Sequence, residues 1–355
     1  MKYDYLWDGS GEPDPEVQHL ETVLATLRSD RPAPEFPAAA ESGRREAPLR
    51  VLRARWLTGF AAAAASVLVA GAYWLEWRKP APAPAVQTGW TVAILAGAPS
   101  VGSKGILDAS GKLSVGQTLE TDGRSRARLA VGDVGEVEVE PNTRLRLLRA
   151  GAGRKRLALD RGTIHAAIWA PPGEFVVDTP SAVAVDLGCA YTLQVDDSGA
   201  GLLRTTLGWV GFKLGSREAF IPAGAVCATR PDVGPGTPYF EDAPAPLRAA
   251  LTRLDFGGGT AALREADVAI ILSQSRRRDA LTLWHLLTRV DGPERGRVYD
   301  RLAALARPPS QVTRAGVLHL DSQMLDLWWN QLGFGDISLW RTYERSWSRD
   351  ERGAK

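Results

Sequence analysis

Cysteine, methionine and histidine are the scarce residues of this chain, with two, two and four of them in 355 residues. Only Cys189 and Cys227 are present and no CxxC pair exists, so a thiol-based zinc cage is excluded and a redox-active dithiol is not expected. The histidines are scattered without metal-ligand spacing, and no metal is implied. An excess of one charge is missing too. Forty-three basic residues interspersed with 41 acidic ones give a net charge of +2. No concentrated basic patch results, and no nucleic-acid partner is expected. Catalytic signatures are also absent. There is no Walker or dinucleotide loop, and Gly257 to Gly259 lack the lysine and spacing of a phosphate cradle. No nucleophile, base and orienter set emerges, so neither an enzyme nor a cofactor is expected.

Charge is also missing over about twenty residues from Trp56, and here its absence is informative. The run Trp56 to Trp77 has the length of a membrane span, since Trp56 to Leu75 at 1.5 Å per residue covers roughly 30 Å. Phe60 and Leu68 lie within it, and Trp56, Trp74 and Trp77 sit at its ends as interfacial anchors. A soluble Ala-rich helix would need a polar face, and only Thr58 and Ser66 are polar between Trp56 and Tyr73. Ala70 to Ala72 has the form of a cleavage site, but some fifty residues precede the run. Five arginines in front (Arg44, Arg45, Arg50, Arg53, Arg55) against Arg78 and Lys79 behind favour an inside amino end. The expected location is therefore a bacterial inner membrane crossed once, the lipid bilayer being one partner, with residues 80–355 periplasmic.

Residues 1–55 form the expected cytoplasmic segment. Asp14 as N-cap and Pro15 at the first turn open a short helix, on which Val17, Leu20, Val23, Leu24 and Leu27 make one apolar stripe. The stripe either binds a partner helix or folds back on Tyr3, Tyr5, Leu6 and Trp7. Arg31 to Pro48 reads as a tether, and residues 78–89 as a Pro/Ala-rich linker.

From residue 90 to 231 the pattern alternates with period two. Ala127, Leu129 and Val131, then Val137 and Val139, Leu157 and Leu159, Tyr191, Leu193 and Val195, and Val210 and Phe212 are examples, with turn residues between many of the runs. This predicts an all-β module, sandwich, barrel or solenoid. Gly116 to Thr121, Ser125-x-Ala127-x-Leu129, Pro141 to Thr143, Leu157 to Gly162 and Phe175 to Pro180 follow one another over about 110 residues. In this order the motifs resemble the FecR domain of extracytoplasmic signalling proteins. The resemblance implies a single-pass signalling regulator of the anti-sigma type, with a protein partner in the cell envelope and a sigma factor bound by the amino-terminal segment.

Cys189 and Cys227 both fall in this module. They read as a disulfide candidate closing a loop of about 38 residues, worth roughly 3 to 4 kcal/mol, with two buried reduced thiols as the alternative. Glu136, Glu138 and Glu140 share one strand face. They raise the possibility of paired carboxylates acting on a glycoside, against which stands a solvated face near Arg128, Arg144 and Arg146.

After an expected linker at 232–246, helical periodicity returns over 247–350, with helices near 245–255, 260–273, 277–290, 293–306, 321–332 and 337–347. Trp328, Trp329, Trp340 and Trp347 are read as core in preference to a partner surface. The expected fold is thus multidomain: a single transmembrane helix at 56–77, a FecR-like β module that is solenoid- or sandwich-like, and an all-α carboxyl-terminal domain. The competing functional reading is an envelope scaffold that holds a protein or glycan, with no sigma-factor role.

Overall fold

The computed structural model describes residues 89–353, apart from 103–104, 106–109 and 152, with backbone alone for 346–353. In chain order its strands are β1 (Gly89–Ala96), β2 (Ser100–Val101), β3 (Ser110–Ser114), β4 (Thr118–Glu120), β5 (Arg126–Ala130), β6 (Gly135–Val139), β7 (Arg144–Arg149), β8 (Lys155–Ile168), β9 (Phe175–Asp178), β10 (Val183–Asp186), β11 (Ala190–Val195), β12 (Gly201–Leu207), β13 (Trp209–Leu214), β14 (Arg217–Pro222), β15 (Ala225–Arg230), β16 (Gly234–Pro235) and β17 (Tyr239–Phe240). Its helices are α1 (Ala245–Phe256), α2 (Ala261–Gln274), α3 (Ala280–Leu286), α4 (Gly292–Leu305), α5 (Arg314–Leu318), α6 (Ser322–Leu332) and α7 (Ile337–Gly353).

Pairing sorts the strands into two sheets. The first runs β3-β1-β5-β6-β8-β11-β12-β15, with β16 and β17 both on β15. The second runs β2-β4-β7-β8-β9-β10-β13-β14. Strand β8 belongs to both. Its first half pairs with β7 and β9, and from Gly162 onward it pairs with β11 and β6. The crossing needs glycine: φ there is 96°, and a Cβ would collide with Thr143.

Alternation then builds the sandwich core. Leu129, Val137, Ala166 and Tyr191 line up across the first sheet. Leu147, Leu157, Val177, Ala184, Phe212 and Ala219 do so across the second. All are buried, as expected where two inner faces meet. The other face of the second sheet is covered as well around Val176, Val185, Gly211 and Phe220. Burial on both faces shows in consecutive buried positions, from Trp209 to Phe212 of β13 and from Ala219 to Pro222 of β14.

Helices supply that cover, and the expected architecture is corrected here. The carboxyl-terminal helices are a third layer on the sandwich, and all the described residues fall in one compact unit. Residues 232–246 do not act as a loose linker. Thr229 pairs with Pro235 and Ala225 with Phe240, while the Thr237 amide donates to Asp255 of α1 at 2.6 Å. Gly and Pro mark this stretch as a loop by composition, yet its backbone groups have fixed partners. Among the described residues no helix is long and apolar enough to cross a membrane. The transmembrane helix in the expected fold is therefore not supported. The stretch Trp56 to Trp77, with Phe60, Leu68 and Trp74, lies outside the described residues, as do Val17, Leu20, Val23, Leu24 and Leu27.

Helix signals hold at the other boundaries. Asp321 caps α6 by accepting from the Met324 amide at 3.1 Å, and Gly333 ends that helix at φ 76°. The expected helix at 277–290 is instead a 3-10 turn, Arg277–Asp279, followed by α3.

Candidate functional site

The two cysteines are free and buried, so the disulfide expectation is corrected. Register gives the reason. Leu193 of β11 pairs with Leu203 of β12, which pairs with Cys227 of β15. Cys227 is thus two strands from Leu193, about 10 Å, and Cys189 is four residues further along, about 13 Å. A bridge needs Cα atoms within about 7 Å. The Cys189 thiol donates to Asp186 Oδ2 at 2.7 Å, and that of Cys227 to the Gly236 carbonyl at 3.3 Å. Burial pushes the Cys227 thiol up to about 12, and burial with the Asp186 charge raises Cys189 further. Neither thiol is expected to react with a maleimide in the folded chain, whereas both should react in guanidinium, and a reducing agent should leave Tm unchanged. A faster non-reducing gel band that reductant abolishes would contradict this.

The motif residues of the β module act on their own backbone. Thr121 Oγ1 donates to the Glu140 carbonyl at 2.7 Å and accepts from the Thr143 amide at 2.9 Å. Thr143 Oγ1 accepts from the Thr163 amide at 2.9 Å, just after the β8 crossing. Ser125 Oγ accepts from the Ala98 amide at 2.8 Å, and Thr179 Oγ1 donates to the Ala182 carbonyl at 2.7 Å. These side chains lock turns and strand ends. The acidic face is also accounted for. Glu138 and Glu136 pair with Arg128 at 2.5 and 3.5 Å, Glu140 pairs with Arg126, and His165 Nε2 lies 3.2 Å from Glu140. Arg144 and Arg146, expected beside these carboxylates, are on β7 in the second sheet.

A cluster of aromatic and charged side chains lies where the helices meet the second sheet. Phe220 projects from β14 into a box of Trp209, Trp284, His285, Trp329 and Trp340, with ring centroids 5.2 to 5.9 Å away. Trp340 lies directly over Gly211, where any Cβ would overlap its ring. Trp328, Trp329 and Trp340 are core, while the side chain of Trp347 lies outside the described residues.

Beyond β14 the second sheet ends, and helical side chains take the place of the next strand. The Phe220 amide donates to His285 Nε2 at 2.9 Å, and Arg289 Nη2 donates to the Glu218 carbonyl at 3.1 Å. His285 Nδ1 donates to the Leu281 carbonyl at 2.9 Å, which fixes a neutral imidazole. Burial, seconded by the Arg289 charge, holds its pKa down to about 3. Next to it Arg341 binds Asp326 through two bonds of 2.9 and 3.0 Å and Glu218 at 3.0 Å, while Trp340 Nε1 donates to Glu218 at 2.8 Å. A cleft of about 380 Å³ opens here between Glu218, Trp284, Ser322, Leu325 and Arg341. Among the described residues no three His, Cys, Asp or Glu side chains are placed to hold a metal.

Polar groups at this seam are engaged in holding the sheet and the helices together. Residues 117–207, from just before β4 to the end of β12, match the family described as FecR protein. The chain therefore contains a FecR domain, as the motif order implies. Two solved structures of a candidate anti-sigma factor from Parabacteroides distasonis ATCC 8503 show 14% and 13% identity, each with a TM-score of 0.32. They cover 44% and 43% of this chain and 76% and 73% of their own. No protein among curated ones matches.

The seam was not legible as a site in the sequence. His285 has no ligand-spaced neighbour, and its partner, the Phe220 amide, is 65 residues away. The consecutive apolar residues Ala219, Phe220 and Ile221 of β14 are the local signal of burial on both faces.

Proposed function

We propose that this chain is a signal-transducing regulator that acts by holding proteins, with an RNA-polymerase sigma factor bound by the stripe Val17, Leu20, Val23, Leu24 and Leu27. The observation that carries the reading is the FecR match over residues 117–207. The β module, with its helical layer, then receives a protein partner of the cell envelope, and binding there alters the hold on the sigma factor. A helix with one apolar face and no core of its own is suited to such a groove-bound role.

The test is cross-linking in cells with the full chain carrying a photoreactive residue at Leu20. A sigma factor is expected in the cross-linked product, and the double variant Leu20→Asp, Leu24→Asp should lose it. Recovery of no sigma factor sinks the proposal. A second reading, a scaffold for a protein or glycan, has Trp169 in its favour: this indole is 72% exposed, a large aromatic left in water. Deleting residues 1–45 separates the two, because a scaffold keeps its phenotype and a sigma-factor regulator loses it.

A further inference from the structure

The turn from β10 to β11 encloses an unusual carboxyl. Asp186 is 1% exposed; its Oδ1 accepts from the Gly188 amide at 2.7 Å and its Oδ2 from the Cys189 thiol at 2.7 Å. On the strands beside it the hydroxyls of Tyr191 and Thr205, paired residues of β11 and β12, are buried without a hydrogen-bond partner. The groups acting on the carboxyl are this thiol and the amides of residues 188 and 189; none is a cation. From β13 it faces Val210. Charged groups on adjoining elements have their own partners: Glu174 is held by Lys155, and Glu344 of α7 by Lys213 and Arg341. An ionised carboxyl in such a place has these hydrogen bonds but no cation to offset the loss of hydration, and it draws in water.

The same turn is tied to the helical layer. The Asp186 carbonyl accepts from the Gly173 amide at 2.8 Å, and the Cys189 carbonyl accepts from the Ile168 amide at 3.0 Å. Gly173, at φ 80°, lies against the ring of Tyr343 on α7, where a Cβ would overlap the ring. One hydrogen bond and one ring contact thus connect the FecR domain's interior to the last helix.

We propose that the Asp186 to Cys189 turn is a proton-controlled latch on α7: the neutral carboxyl keeps the turn closed and Gly173 seated under Tyr343, and ionisation loosens the turn and releases α7 from the second sheet. Burial favours the neutral form and pushes Asp186 up to about 7, against the opposing pull of the Cys189 and Gly188 hydrogen bonds. The closed state binds the proton more tightly than the open one, so closure is complete in mild acid and weakens as pH rises through 7. This latch does not depend on which protein the chain binds.

Amide hydrogen exchange on the full chain, corrected for the intrinsic rate at each pH, tests it. Protection of the α7 amides from Trp340 to Glu344, relative to those of α4, should fall about tenfold between pH 6 and pH 8. In Asp186→Asn, which keeps an acceptor for the Gly188 amide and has no charge to gain, the ratio should be flat. Flat protection in the natural chain, or an equal fall in Asp186→Asn, overturns the proposal. Tyr343→Leu examines the relay separately. The Ile168 amide should keep its pH dependence while α7 no longer follows it, and an α7 that still follows pH would rule out transmission through Gly173.

Discussion

Phe220→Ala is expected to cost about 3 to 5 kcal/mol, the range for emptying a fully buried aromatic site. Phe220 is completely buried. Its ring makes edge contacts with Trp329 at 5.2 Å and Trp340 at 5.4 Å, and a third with Trp209 at 5.7 Å. Each such pair adds about 0.5 to 1.5 kcal/mol beyond area burial, though not additively. What magnifies the loss is where the ring sits. It is a side chain of the second sheet inserted among α3, α6 and α7, so its cavity opens in the layer interface and not within one layer. Surrounding rings cannot collapse into the gap because Trp340 already rests on Gly211 and Trp284 Nε1 is tied to the Leu325 carbonyl at 3.0 Å. Phe220→Leu should lose less than half as much. Urea unfolding followed by tryptophan emission and by far-ultraviolet circular dichroism reads both effects. A loss under 1 kcal/mol for the alanine variant would show that the helices and the sandwich are stabilised separately.

Local patterns were legible where each residue's neighbours are close in sequence. Alternation located the strands, the Pro, Asp and Gly boundary signals located the helices, and the order of turn motifs pointed to the FecR domain. Three features depended on long-range geometry that no local period encodes. Strand β8 changes sheets at Gly162, and a glycine between two apolar runs reads equally as an ordinary turn. Cys189 and Cys227 looked pairable by count, while the intervening β12 keeps them apart in the sheet. Residues 232–246 looked like a linker by composition, and only pairing with β15 and the reach of Asp255 reveal them as structure. The helical layer followed the same logic: the helical period was readable, but not that the surface these helices cover is the back of β13 and β14.

That back-to-back packing places two buried titrating groups in one cooperative unit, and their pH dependences oppose each other. His285 has its pKa lowered to about 3 from 6.5. Between those values the unfolded chain binds a proton that the folded chain refuses, so stability falls as pH drops through this window, at about 1.4 kcal/mol for each pH unit. Protonation also removes the Nε2 acceptor from the Phe220 amide and sets a cation beside Arg289 at the sheet edge. Asp186, raised from 3.8 to about 7, has the reverse sign: the folded chain holds the proton longer, so stability declines as pH rises between its two values. From about pH 4 to 6.5 the two slopes nearly cancel, and the natural chain should show little dependence from this pair. Replacing either group exposes the other. His285→Gln keeps a carbonyl within reach of the Phe220 amide and cannot be charged. The stability difference between the natural chain and this variant should therefore rise with pH by roughly 4 kcal/mol from about pH 3.5 to 6.5 and stay constant above. Urea midpoints measured at half-unit intervals decide it. A difference that does not change with pH would mean that His285 carries its ordinary pKa, which no fully buried imidazole accepting a backbone amide at 2.9 Å should have.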